Sequence, residues 1–67
     1  MTIAEKIVGL REKKGISQYK LAKESGITSQ AICQYESGKR IPDLPRMMQL
    51  CKGLGIDANT FLSGVNM

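Results

Sequence analysis

Between Thr28 and Arg40 the chain gathers its side chains best suited to making hydrogen bonds with a partner. Ser29, Gln30, Cys33 and Gln34 stand at intervals that a helix, turning about 100° per residue, brings to one side. Ile32 and Tyr35, with Thr28, fall on the opposite, inward side. The outward group is small or amide-bearing and carries no charge, whereas a merely solvated helix face would show Glu and Lys. Side chains of this kind can enter the major groove of a DNA duplex and offer donors and acceptors to base edges.

Groups able to hold phosphates bracket that segment. Ser17-Gln18 opens a helix, and its free N–H groups with the Gln18 amide can grip one phosphate. Lys39 and Arg40 follow the segment and can grip the backbone beyond it. The charge is distributed accordingly. Residues 1–40 carry eight basic and four acidic side chains, while residues 41–67 carry two of each, so the whole net charge of +4 lies in the first part. A basic half suits a phosphate backbone.

Helical elements must position these groups. Thr2-x-x-Glu5 is a capping box, after which Ile3, Ile7, Leu10 and the stem of Lys14 form one apolar stripe, closed at Gly15. Ser17 caps a second helix to about Ser25, with Leu21 and Ala22 inward and Gly26 as its stop. Ile27 is a buried plug, and Thr28 caps a third helix to about Ser37. About three residues with a glycine at the bend separate the second and third helices, which is helix-turn-helix spacing. Residues 38–42 form a loop. Asp43 caps a fourth helix whose Leu44, Met47, Met48, Leu50, Cys51 and Leu54 spread over one broad face, both methionines being read as core. Asp57 caps a short fifth helix with Phe61 and Leu62, and residues 63–67 are expected to fray. The sum is an all-α fold, a compact five-helix bundle in a single domain spanning residues 1–67.

Other function classes find little support. The 67 residues hold no histidine, no nucleophile–base pairing and no glycine-rich phosphate loop, so an enzyme is not expected, nor a cofactor. Cys33 and Cys51, without a CxxC pair, cannot make up a zinc site, and no metal is expected. Cys51 is read as core filler, and Cys33 as a small neutral interface group rather than a redox switch. No apolar run reaches the ~20 residues of a membrane span. With no signal peptide at the start, the expected location is cytoplasmic, with reduced thiols and no membrane partner.

The motifs form an ordered series: Ser17-Gln18-x-x-Leu21-Ala22, Gly26-Ile27-Thr28, Ile32, Glu36-x-Gly38-Lys39-Arg40-x-Pro42 and Leu50-x-x-x-Leu54-Gly55-Ile56. The series resembles the Cro and phage-repressor type (Xre-like) helix-turn-helix family over roughly residues 5–62. The resemblance implies a lambda-repressor-like five-helix bundle, usually dimeric, that binds operator DNA as a transcriptional regulator, more often a repressor than an activator. By position it makes Ser29, Gln30 and Gln34 base readers, with Thr28 and Cys33 at the groove edges. Gln18, Ser37, Lys39 and Arg40 would face phosphates, with Ser17 beside Gln18. Arg11 and Glu36 would form a structural ion pair. Cys33, Cys51 and Gly53 depart from the family pattern. Dimerisation is expected in residues 56–67, through Phe61, Leu62 and Val65, where net charge is least. The competing reading is a protein-interaction module, or an antitoxin or restriction-controller type of protein with the same fold.

Overall fold

The computed structural model describes residues 1–65 and forms five helices among them. They are α1 (Ile3–Lys14), α2 (Gln18–Ser25), α3 (Ser29–Glu36), α4 (Leu44–Leu54) and α5 (Ala58–Leu62). Each begins where a short side chain replaces a missing helical acceptor. Thr2, Ser17, Thr28, Asp43 and Asp57 accept from the N–H groups of Glu5, Lys20, Ala31, Arg46 and Thr60. At Thr2 the box is reciprocal, because the Thr2 N–H donates to Glu5 Oε1 at 2.9 Å. Between α2 and α3 the chain reverses at Gly26, whose φ of 73° lies in the left-handed region that a Cβ disfavours. Ile27 follows directly and is buried.

The core is built by Ile7, Leu21, Ile32, Leu50 and Phe61, all essentially sealed from solvent, with Ala22, Ile27, Tyr35, Cys51 and Leu54 around them. Burial of each large side chain removes roughly 1.5–3 kcal/mol of unfavourable hydration. α2 lies against both α3 and α4, and α5 closes on α4. The approach of α2 to α4 depends on Gly53, because a Cβ there would fall 2.8 Å from Ser25 Cβ and 3.0 Å from the Ser25 nitrogen. Gly9, by contrast, faces open space. Two lysines tie α1 to later elements: Lys14 Nζ donates to the Gly53 carbonyl at 3.1 Å, and Lys6 Nζ to the Ser63 carbonyl at 2.9 Å.

Several expectations change. The apolar face of α4 is wider than the contact that covers it: Leu50, Cys51 and Leu54 are buried, whereas Leu44 is 70% exposed and Met48 59%. Met48 is therefore not core, and Met47 is half-buried. Lys14 is exposed rather than part of the stripe, since its ammonium reaches across to α4. Phe61 is 1% exposed and serves this chain's own core, which removes it from a surface patch. Pro42 lies in the loop as expected, and its side chain is fully buried there. Ser63 is pinned by Lys6 and Val65 N–H by Leu62 O, so the tail is tethered that far. Residues 66–67, also expected to fray and to end the dimerisation region, lie outside the described residues. Among those described, no helix is long and apolar enough to cross a membrane.

Candidate nucleic-acid interface

α3 buries Ile32 and Tyr35 and turns Ser29, Gln30 and Cys33 to solvent, with Gln34 half-buried at the edge of the same face. The face carries hydrogen-bonding groups and no ionised side chain, as expected from its spacing. Thr28 is the exception to the wheel. It is exposed rather than inward, because an N-cap residue leaves helical geometry and its hydroxyl must reach the Ala31 N–H, at 3.1 Å.

The C-terminal end of α3 is held by two polar clusters. In the first, the Arg11 guanidinium meets the Glu36 carboxylate in a two-pronged pair, Nε to Oε2 at 2.7 Å and Nη2 to Oε1 at 3.1 Å. Arg11 Nη1 donates to the Ile16 carbonyl at 2.9 Å, and Gln18 Nε2 donates to Glu36 Oε1 at 2.9 Å. The Glu36 side chain is only 6% exposed and that of Arg11 16%. Hydrogen bonding to Glu36 raises the Arg11 pKa above its ordinary value, so the guanidinium stays charged. α1, the start of α2 and the end of α3 are thereby fixed to one another. Gln18, expected at a phosphate, spends one of its two amide N–H donors on this cluster.

In the second cluster the loop after α3 folds back on Gln34. The Gln34 carbonyl accepts from the Ser37 hydroxyl at 3.1 Å and from the N–H groups of Lys39 and Arg40, at 3.0 and 3.3 Å. Arg40 Nη1 donates to Gln34 Oε1 at 3.3 Å, while its guanidinium lies 6.0 Å from the Tyr35 ring centroid. Ser17, Ser37, Lys39 and Arg40 are all exposed. The Ser17 hydroxyl accepts from Lys20 N–H at 3.0 Å and keeps its own proton for another acceptor.

Tyr19 escaped the sequence reading. It is 70% exposed and lines a shallow recess with Lys23, Ala22, Ile27 and Ser29, beside the start of α3. Its signal was the i, i+4 spacing to Lys23 on the face of α2 opposite the core. Of the two thiols, Cys33 is exposed and Cys51 buried, both free. Burial pushes the Cys51 pKa up, which suits a packing role.

The helix pair α2–α3, with α3 presented outward and its C-terminal end anchored by two clusters, is the architecture of a helix-turn-helix DNA-binding module. A family model described as "Helix-turn-helix" matches residues 9–61, and the chain belongs to that family. Among curated proteins, an SPbeta prophage-derived HTH-type transcriptional regulator of Bacillus subtilis (strain 168), YonR, is 37% identical over 62 residues. That match takes in 92% of this chain and 57% of the relative, so the chain spans little more than half the length of that protein. Among solved structures, the restriction-modification controller protein C.AhdI from Aeromonas hydrophila superposes with a TM-score of 0.84 at 29% identity, covering 88% of this chain and 89% of that one. The P22 c2 repressor, solved in complex with a synthetic operator, gives a TM-score of 0.83 at 30% identity, covering 96% of this chain and 97% of the other. The five-helix, lambda-repressor-like fold expected from the sequence is the fold of these proteins.

Proposed function

We propose that the protein is a sequence-specific regulator of transcription, acting as a repressor, that binds double-stranded DNA with α3 in the major groove. One observation carries this reading: α3 presents an uncharged, hydrogen-bonding face, with the start of α2 and the loop after α3 beside it carrying groups that suit phosphates. Ser29, Gln30 and Gln34 read base edges, with Thr28 and Cys33 at the margins of the groove. The first-turn N–H groups of α2 and the Ser17 hydroxyl hold one phosphate, the Gln18 side chain serving chiefly to steady Glu36. Ser37, Lys39 and Arg40 hold the backbone on the other side. The reading involves no catalytic step and places the protein in the cytoplasm. The likeness to C.AhdI supports a restriction-controller role as a variant, in which the same face reads the DNA.

The experiment is selection of bound duplexes from a random pool, followed by binding to the selected site over a range of salt. Affinity should fall linearly on logarithmic axes, and Lys39→Ala should weaken all sequences alike and make the slope shallower by about one. Gln30→Ala should relax preference at one base pair, losing ~1–3 kcal/mol of discrimination. If the pool yields no enriched sequence, the reading fails, and a protein-interaction module takes its place.

A further inference from the structure

Gln34 is restrained at both ends. Its backbone carbonyl is the point on which Ser37, Lys39 and Arg40 converge, which brings residue 40 back beside residue 34. Its side-chain oxygen then receives Arg40 Nη1 at 3.3 Å. A guanidinium has donors and no acceptor, so the end of the amide facing Arg40 must be the oxygen. The Tyr35 ring under the guanidinium narrows the choice of positions open to Arg40. The Nε2 end of Gln34, with its two N–H donors, therefore points away from Arg40.

We propose that Arg40 is a positioning residue that sets the polarity of the Gln34 amide, so that Gln34 reads guanine. The proposal rests on α3 being the base-reading helix. An unrestrained glutamine pairs with adenine through both ends, accepting from N6 and donating to N7. When its oxygen is drawn to Arg40, it offers the groove donors only. Guanine presents two acceptors there, O6 and N7, and meets that pattern. Adenine sets an amino group against it, donor facing donor. Arg40 thus contributes to which base is chosen, whereas a contact to phosphate alone would contribute equally to every sequence.

The test uses the full chain and duplexes differing only at the base pair where Gln34→Ala flattens the preference. Wild type should favour guanine there. Arg40→Ala and Arg40→Lys should each shift the guanine-to-adenine affinity ratio towards adenine by roughly 5-fold or more. Arg40→Lys keeps the charge without the planar fork, so the ratio should move in it as it does in Arg40→Ala, and the ratio rather than the overall affinity is the readout. In a Gln34→Ala background, Arg40→Ala should leave the ratio unchanged. A uniform loss of affinity across all duplexes in Arg40→Ala would overturn the proposal, as would a wild-type preference for adenine at that pair. Failure to select any duplex would overturn the DNA-binding reading itself, a distinct result.

Discussion

Glu36 joins three helices through one carboxylate, and it is the residue whose loss should be felt furthest from its own position. Arg11→Met would leave the carboxylate almost buried with Gln18 as its remaining partner, a state that costs ~3–5 kcal/mol when burial is deep. Glu36→Gln keeps the shape and part of the hydrogen bonding, so its loss should be smaller. The double variant should be less damaged than the sum of the singles, measured by urea denaturation. Additive effects would show that the two side chains do not interact. The ion pair was legible in the sequence through the family resemblance, and both residues flank the apolar faces of their helices. The contact from Gln18 to Glu36 was not legible, because a glutamine in a first helical turn can serve a phosphate or a neighbouring carboxylate equally well. Only the distance between α2 and α3 decides it.

Helix boundaries were the most legible features, since each rests on a local cap: Thr2, Ser17, Thr28, Asp43 and Asp57 begin helices as their side-chain chemistry requires. What covers a face was less so. The wheel put Leu44 and Met48 with Leu50 and Cys51, but α2 and α5 together cover only part of that arc. Gly53 shows a similar limit, for nothing local distinguishes it from Gly9. The structure does, and a paired substitution tests it. Gly9→Ala should stabilise by up to about 1 kcal/mol, the helix propensity alone. Gly53→Ala gains the same propensity but forces a Cβ onto Ser25, and overpacking of this kind costs ~1–3 kcal/mol, so the net change should be destabilising. Equal midpoints for the two variants would mean that α4 shifts freely. The caps also set an acid limit. Glu5 is held below the usual carboxylate range by the Thr2 N–H and hydroxyl, and Asp57 by the Thr60 hydroxyl and N–H. A lowered folded pKa means that the unfolded chain takes up the proton more readily. These carboxylates therefore stabilise above the ordinary range, and that contribution is lost as pH falls through their folded values. Melting temperature should drop from about pH 6 to about pH 3, less steeply for Asp57→Asn; an identical slope would remove Asp57 from this account.

At the scale of the whole molecule, the net charge and one apolar groove belong to different parts of the chain. The first forty residues carry the net charge, while Leu44, Met48 and Leu62 expose apolar surface around a groove floored by Cys51 and Phe61. We propose that a second copy of this chain covers the groove, since residues 41–67 have no net charge to oppose self-association. Of the residues expected at a dimer surface, Leu62 remains, Val65 is half-buried nearby in sequence, and Phe61 gives way to Leu44 and Met48. Two copies related by a two-fold axis would place half-sites about 34–36 Å apart and call for a near-palindromic operator. Met48→Glu should leave the fold intact, because that side chain is exposed, yet lower the mass on DNA from two copies to one and weaken binding. Mass measurements that find a single wild-type copy on a site without a dyad would remove the dimer.

The position of Phe61 has a consequence for the protein's synthesis. The side chain that completes the core arrives late, after every element of the helix-turn-helix has been made. A nascent chain that already carries all its base readers still lacks the plug under α4, and its exposed aliphatic core invites chaperones and proteases. Stalled translation or a premature stop before residue 61 should therefore yield fragments that are cleared rather than weak competitors for the operator.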